Sequence, residues 1–306
     1  MTDRTIGRGV IAPILTPFND DGSIALDLYA DHAHRLLDDC AGLAPFGTTG
    51  EALSVGIDER IAALDHLIGA GIDPTTLIPG TGLTNVADTA RLSAACLERG
   101  CAGVMALPPF YYKSVSDEGL VAYFEQLVAA IGRADVPIYL YHIPQVAGVG
   151  IPTAVVRTLH DRLPRTFVGI KDSTGDWDNT RSLLEIDGLT VYPGSEMPLI
   201  DALALGAPGC ISATANLNAA AIASVISLFD QGDLDGAKAV HEAAKKVRLA
   251  IQPHGAIPAQ KSLLARSTGD RRWNNLRAPL APLSEADGSE LLAALDTETE
   301  FKLAAA

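Results

Sequence analysis

The stretch FVGIKDSTGD, residues 167–176, runs from four uncharged, mostly apolar residues into Lys171 and then into a polar, turn-like segment. A short continuous apolar run bounded by turn residues is typical of a parallel strand that is covered on both faces. We therefore expect a buried strand here, with a single lysine at the tip of that strand.

Similar short β-rich or apolar runs recur along the chain, and the segments between them have helical periodicity. Examples of the helical segments are 58–71 and 85–100, the second ending on Gly100 as a helix C-cap would. Alternating strands and helices predict βαβ units and a parallel sheet, and eight units predict a (β/α)₈ barrel. A doubly wound open sheet is the alternative, and the even spacing disfavours it. The eight runs are residues 9–17, 42–47, 76–82, 102–109, 137–144, 167–172, 190–195 and 209–214.

The strand pattern stops after residue 232, and three later segments have helical periodicity, namely 234–251, 256–267 and 284–298. The sequence thus predicts an α/β fold in two parts: a (β/α)₈ barrel over residues 1–232 that carries the active site, and a helical domain over residues 233–306. Because no low-complexity linker separates them, we expect the helical domain to pack on the barrel.

Composition and charge narrow the class of partner. The 306 residues are 48% hydrophobic and carry a formal net charge of −14, which repels nucleic acid and anionic membrane surfaces. A small anionic substrate stays possible, since a local pocket can be positive. The four cysteines form no CxxC pair, so neither a disulfide framework nor a metal site is indicated. The N-terminal stretch lacks the apolar core of a signal peptide and no run could span a bilayer, so we expect a cytoplasmic protein.

Lys171 is the first candidate for chemistry, because (β/α)₈ barrels build active sites at the carboxyl ends of their strands. Burial disfavours the ammonium form of a lysine, and a neutral amine is the nucleophile that condenses with a ketone. The alternative interpretation is a structural lysine paired with the neighbouring Asp172.

The second predicted strand ends in FGTTGEALS, residues 46–54, a turn in which Gly47 and Gly50 flank Thr48 and Thr49. Free backbone N–H groups and two hydroxyls at such a turn can hold a carboxylate. An ordinary turn with a threonine as helix N-cap is the alternative.

The fifth predicted strand ends in YLYHIP, residues 139–144, and strand alternation places Tyr139 and Tyr141 on the face opposite to Leu140 and His142. A tyrosine hydroxyl in the barrel mouth can shuttle protons, although an aromatic residue that closes the core explains the pattern equally well. We interpret His142 as a structural histidine.

An aromatic loop follows the fourth predicted strand, and its sequence PPFYYKSVSDEGL covers residues 108–120. Such loops are often interface or lid elements, so packing is the default role of Phe110, Tyr111 and Tyr112.

Taken together, seven stretches resemble the dihydrodipicolinate synthase and N-acetylneuraminate lyase family of pyruvate-dependent class I aldolases. Each motif is weak alone, but the ordered set is specific. The stretches are LTPF (15–18), FGTTGEALS (46–54), PPFYYKSVSDEGL (108–120), YLYHIP (139–144), GIKDSTGD (169–176), YPGSE (192–196) and GCISATAN (209–216).

The resemblance implies a lyase that forms an imine between Lys171 and pyruvate, with no other cofactor and no metal. It also implies a homotetramer built from tight dimers. By position, Thr48 and Thr49 hold the pyruvate carboxylate, and Thr48, Tyr141 and Tyr111 form a proton relay, the last reaching in from a neighbouring subunit. The turn glycines Gly47 and Gly50 help to fix the carboxylate, and Gly194 and Ile211 line the site.

One departure from the family concerns the aldehyde partner. Dihydrodipicolinate synthases have an arginine that grips the aldehyde's carboxylate where this chain has Val146. Losing that bidentate cation disfavours aspartate semialdehyde and leaves a sugar-acid-derived or an aromatic aldehyde as the expected partner. Ser195 and Glu196 lie where sialate lyases bind a polyol, which favours a hydroxylated partner. The alternatives are a 4-hydroxy-tetrahydrodipicolinate synthase, a keto-deoxy sugar-acid dehydratase and a keto-acid-binding paralogue without catalysis.

Overall fold

The computed structural model describes residues 6–133 and 136–298, in which strands and helices alternate as the sequence predicts. The strands are β1 Gly9–Ala12, β2 Gly42–Leu43, β3 Val104–Ala106, β4 Ile138–His142, β5 Phe167–Asp172, β6 Thr190–Pro193 and β7 Gly209–Ile211. The helices are α1 Leu26–Leu37, α2 Ile57–Gly69, α3 Val86–Glu98, α4 Asp117–Ile131, α5 Pro144–Ala147, α6 Thr153–Arg162, α7 Trp177–Leu184, α8 Leu199–Ala204, α9 Ala215–Asp230, α10 Leu234–Ile251, α11 Ala256–Thr268 and α12 Glu285–Glu298.

The strands are parallel and follow one another around a barrel in chain order. One sheet has the order β2-β1-β7 and the other β3-β4-β5-β6. Residues 77–80 join them, since Leu77 bridges to Leu43 and Gly80 bridges to Met105. At the other junction β6 lies next to β7. This arrangement confirms the (β/α)₈ barrel, and the doubly wound alternative would require a strand order that reverses at its centre.

The run 76–82 is the one predicted strand that is not a regular strand. Pro79 has no N–H to donate to a neighbouring ladder, although its carbonyl oxygen accepts from Met105 N at 2.9 Å. Gly80 passes so close to the previous turn that a Cβ atom would lie 2.2 Å from the carbonyl oxygen of Phe46. The segment therefore occupies the position of the third barrel strand, and isolated β-bridges connect it to its two neighbours.

Strand alternation divides the side chains between the barrel interior and the layer under the helices. Tyr139 and Tyr141 of β4 belong to the interior cluster, whereas Leu140 packs in the outer layer, as predicted. Gly169 on β5 leaves room for a ring, because a Cβ atom there would lie 2.8 Å from Tyr139 Cδ1. The interior cluster also contains Ile11, Met105, Tyr192 and Ile211.

The three helices predicted after residue 232 are confirmed as α10, α11 and α12. Helix α10 begins at Leu234 because the Asp233 carboxylate caps it, accepting from Gly236 N at 3.0 Å. Trp273, in a turn after α11, packs with Leu15 and Leu28 of the barrel, so the helical part is docked. The division between residues 232 and 233 stays a prediction, because α9 and α10 pack on each other across it. Across the described ranges, none of the helices is both long and apolar enough to cross a membrane.

Candidate active site

A cavity of about 610 Å³ opens at the carboxyl ends of β4, β5 and β6. Five residues predicted for the site line it: Thr48, Thr49, Tyr141, Lys171 and Gly194. They come from four separate segments of the chain that the parallel strands bring to one end of the barrel.

Lys171 lies inside the barrel mouth with only 4% of its surface exposed. Its register neighbour on β4 is Tyr141, and Lys171 Nζ lies 4.5 Å from the centroid of the Tyr141 ring. No ion pair holds this amine anywhere in residues 6–133 and 136–298. The structure thus contradicts the alternative in which Lys171 pairs with Asp172, and it leaves the amine available to a molecule in the cavity.

Asp172 instead locks the polar stretch that follows the lysine. Its Oδ1 atom accepts hydrogen bonds from Thr174 N at 3.1 Å and from Thr174 Oγ1 at 2.8 Å. Its Oδ2 atom accepts from Asn179 Nδ2 at 3.0 Å and from Thr180 Oγ1 at 2.6 Å. These four bonds tie the end of β5 to the following loop and to helix α7, and they restrain the backbone next to Lys171.

Tyr141 connects the lysine to the turn after β2. Its hydroxyl lies 3.0 Å from Thr48 Oγ1, which is a hydrogen bond in which either group can donate. A tyrosine between an amine and a threonine hydroxyl can pass a proton in both directions. The predicted pair of Tyr141 and Thr48 is therefore assembled in this chain.

The turn after β2 contributes Thr48 and Thr49 to the cavity lining. In the described part of the chain, the amides of Thr48 and Thr49 donate to no protein acceptor. Gly50 has to be glycine, because a Cβ atom would lie 2.9 Å from the carbonyl oxygen of Ile14. Thr16 Oγ1 holds the turn from below by donating to Gly50 O at 2.8 Å. The turn thus carries the two amides and two hydroxyls on which the predicted anion site depends, and the binding of a carboxylate there stays a prediction.

Five predicted residues lie outside the cavity lining: Gly47, Gly50, Tyr111, Glu196 and Ile211. The two glycines shape the turn, and Ile211 is fully buried in the interior cluster below the site. Tyr111 is 75% exposed on its loop. Its predicted place in a relay requires a neighbouring subunit, and that role stays a prediction.

Glu196 does not lie in the cavity, which corrects its predicted place among the substrate-binding residues. Its side chain is fully buried and accepts hydrogen bonds from the hydroxyls of Ser212 and Thr214, the latter at 2.6 Å. It also pairs with Arg248 Nη1 at 3.1 Å. With its oxygens engaged by protein donors, Glu196 supports the wall of the site instead of contacting a substrate.

His142 is structural, as the sequence indicates. Its Nδ1 atom accepts from Ile151 N at 2.7 Å, which fixes the ring at the end of β4. Burial lowers the pKa of His142, although the carboxylate of Asp172 opposes that shift. The neutral ring is consistent with a packing role.

Several residues of the lining were not predicted from the sequence, among them Gln145, Trp177, Met197, Arg248 and Gln252. Gln145 directly follows the YLYHIP stretch and precedes Val146. Arg248 lies on helix α10 and Gln252 directly follows that helix, so nothing in the strand-end pattern points to them. The periodicity of α10 does point to Arg248. It follows the buried Val247, and it lies on the same helix face as Ala244 and Ile251, which are also buried.

A Tyr141→Phe variant tests the proton path while keeping the ring beside Lys171. We expect kcat to fall by about 100- to 10,000-fold, the usual contribution of a positioned acid or base. Thr48→Val removes the other hydroxyl of the pair and serves as the comparison. Equal kcat in Tyr141→Phe and wild type would show that protons take another route.

The fold and the site define a class of protein: a (β/α)₈-barrel enzyme with a buried lysine and a tyrosine at the mouth of the barrel. The chain belongs to the Dihydrodipicolinate synthetase family, whose sequence model matches residues 7–298. Members of this family are lyases and aldolases.

Individual relatives agree with this assignment. The chain is 36% identical to an uncharacterized DapA-like lyase of Chloroflexus aurantiacus over 94% of this chain and 96% of that protein. It resembles the crystal structure of dihydrodipicolinate synthase from Agrobacterium tumefaciens with a TM-score of 0.85 and 33% identity, over 94% and 98% of the two chains. YagE from E. coli, a family member crystallised with pyruvate, has a TM-score of 0.85 and 27% identity, over 95% and 98%.

Proposed function

We propose that the protein is a Schiff-base (class I) aldolase or lyase that forms or uses pyruvate, with Lys171 as the imine-forming residue. The observation that carries the proposal is the buried amine of Lys171, which lines the cavity beside Tyr141 and pairs with no carboxylate in the part of the chain that the structure describes. The pyruvate complex of YagE supports pyruvate as the keto acid. No cofactor is needed, because the imine itself supplies the electron sink.

In the cleavage direction, the Lys171 amine attacks the keto carbon of the substrate, and the resulting carbinolamine loses water to give a protonated imine. Tyr141 removes the proton from the hydroxyl at the fourth carbon. The bond between the third and fourth carbons then breaks, the aldehyde leaves, and the electron pair moves into the imine to give an enamine. The enamine takes a proton at the third carbon, and water releases pyruvate and the free amine. Condensation is the reverse sequence.

The keto acid is oriented by its carboxylate. The free amides and hydroxyls of Thr48 and Thr49 bind it and place the keto carbon within reach of Lys171. Binding of the carboxylate thereby orients the keto carbon for attack by the amine. We also propose a homotetramer of tight dimers, in which the exposed Tyr111 enters the site of a neighbouring subunit. The pair of Tyr141 and Thr48 then extends into a three-residue relay.

The aldehyde partner is proposed not to be aspartate semialdehyde. Val146 is 61% exposed and lies outside the cavity lining, so this position supplies neither charge nor contact. The second candidate, 4-hydroxy-tetrahydrodipicolinate synthase, is favoured by the likeness to the Agrobacterium tumefaciens enzyme. A coupled assay that compares aspartate semialdehyde with hydroxylated keto acids separates the two. A keto-deoxy sugar-acid dehydratase shares the imine and differs by releasing water without cleavage.

Borohydride reduction in the presence of pyruvate tests the proposal itself. We expect one reduced pyruvate adduct per chain, located at Lys171 by peptide mass spectrometry, because only an imine is trapped in this way. Lys171→Arg, which keeps a cation and cannot form an imine, is the control. Folded protein that binds pyruvate and gives no adduct would favour the keto-acid-binding paralogue.

A further inference from the structure

Arg248 is a cation in the wall of the cavity that contains Lys171, and it comes from the helical part of the chain. It lies on α10, and 24% of its side chain is exposed. The strand-end residues that bind the keto acid head belong to the barrel, so Arg248 approaches the cavity from a different side.

Only part of the guanidinium is used by the protein. Arg248 Nη1 donates to Glu196 Oε2 at 3.1 Å and lies 3.4 Å from Ser212 Oγ. Within the residues that the structure describes, Nε and Nη2 donate to no acceptor. A guanidinium has five N–H donors in a rigid fork, so the donors on its other side are free for a molecule in the cavity.

The buried Glu196 fixes the direction in which these donors point. Hydroxyl groups of Ser212 and Thr214 hold the carboxylate in place, and His241 Nε2 lies 2.6 Å from the backbone oxygen of Glu196. Glu196 is therefore a positioning residue for Arg248. A side chain held at one end and free at the other is pre-organised for a ligand.

Three acids line the cavity. Asp172 is buried, and both of its carboxylate oxygens accept from Thr174, Asn179 and Thr180. The other two, Asp176 and Asp201, do not compete with Arg248 for this role. Both are exposed, so water and salt screen their charges. Asp176 also caps helix α7 by accepting from Asp178 N at 3.0 Å. Arg248 is more buried than either of these two acids, so its charge is screened less.

We propose that Arg248 binds the far end of the substrate and that this far end carries a carboxylate. Resting on the proposed function, the inference has the keto acid head held by Thr48, Thr49 and Lys171, while the second carboxylate forms a forked pair with the free donors of Arg248. The substrate class is then a 2-keto acid with two carboxylates, cleaved to pyruvate and an aldehyde that bears an acid group.

This placement differs from a cation at the position of Val146. Val146 lies on α5, directly after β4, whereas Arg248 lies on α10, in the helical part that follows the barrel. A carboxylate bound by Arg248 therefore lies at a different distance from the imine than one bound at position 146. The distance between Lys171 and Arg248 then sets the chain length of the acid-bearing aldehyde that the enzyme accepts.

Calorimetric titration with matched keto acids tests the inference. The pairs are 2-oxoglutarate against 2-oxopentanoate, and 2-oxoadipate against 2-oxohexanoate, which differ only in a distal carboxylate or methyl group. We expect the wild type to prefer one diacid over its partner by about 10- to 100-fold, the range for hydrogen bonds to charged groups. Arg248→Met abolishes the preference with little change for the monoacid, and Arg248→Lys restores part of it. Lys246→Met, an exposed cation on the same helix, leaves the preference unchanged.

The same samples, reduced with borohydride, separate this inference from the proposed function. Adducts on Lys171 with equal affinity for diacid and monoacid would overturn the role of Arg248 alone. A preference that depends on Arg248 without any adduct would overturn the imine alone. If neither type of keto acid binds, both proposals fail. A loss of affinity for diacid and monoacid alike in folded Arg248→Met would show that the residue only anchors α10.

Discussion

Replacing Lys171 with methionine is expected to lower kcat/KM for pyruvate release by about 1,000-fold or more, because methionine has no amine with which to form the imine. The same change should leave the free energy of unfolding unchanged or higher. A buried amine without a paired carboxylate costs desolvation energy, and methionine fills a similar volume without that cost. Activity and stability thus move in opposite directions in one variant.

This opposition distinguishes a catalytic lysine from a structural one. A lysine kept for packing or ion pairing would lose stability when replaced and would leave residual activity in the folded fraction. Pyruvate release and urea denaturation measure the two quantities on the same preparation. Lys238→Met, an exposed lysine on α10, is the matched control and should change neither. Lys171→Met that keeps more than a tenth of wild-type kcat would contradict the proposed mechanism.

The residues at the strand ends could be predicted because their positions depend on local rules. An apolar strand that ends at Lys171 has to place it at the mouth of a barrel, and alternation along β4 places Tyr139 and Tyr141 in the interior. Thr48 could be predicted from the composition of its own turn. Their mutual contacts follow from the parallel register, in which Tyr141 lies beside Lys171.

Glu196 and Arg248 could not be predicted in the same way, because their roles depend on a contact between parts of the chain 52 residues apart. The sequence near Glu196 indicates a polar residue after a strand, and this pattern is the same whether the side chain points into the cavity or away from it. The docking of α10 decides between the two. Likewise, the irregular third strand depends on the approach of Gly80 to Phe46, which only the closed barrel reveals.

A second long-range pair joins the helical part to the turn that contains Thr48 and Thr49. Lys261 on α11 and Glu51 are both fully buried and form an ion pair. Lys261 Nζ also donates to Asn275 O at 2.9 Å, and Glu51 Oε2 accepts from Arg277 N at 3.1 Å. Glu51 directly follows the site turn and has a φ of 54°, in the left-handed region that residues other than glycine rarely adopt. The ion pair therefore helps to hold the backbone in this conformation.

Lys261→Met is expected to lower the free energy of unfolding by about 3–5 kcal/mol, since it leaves the Glu51 carboxylate buried with only a backbone donor. Urea denaturation at fixed protein concentration measures the loss. In the fraction that stays folded, KM for pyruvate should rise, because Thr48 and Thr49 belong to the turn that Glu51 anchors. Lys245→Met breaks the more exposed pair with Glu242 and should cost about 1 kcal/mol or less.

The double variant Glu51→Gln with Lys261→Met decides what causes that loss. Glutamine keeps the shape of the side chain and can still accept from Arg277 N, but it brings no charge into the core. If an unpaired buried carboxylate is the cause, the double variant recovers much of the stability that Lys261→Met loses, since removing both charges is far less costly than removing one. It should also recover part of the affinity for pyruvate, because the turn regains a neutral anchor. Equal instability in the single and double variants would instead assign the loss to the packing of Lys261 against Phe18, whose ring centroid lies 4.5 Å from Nζ.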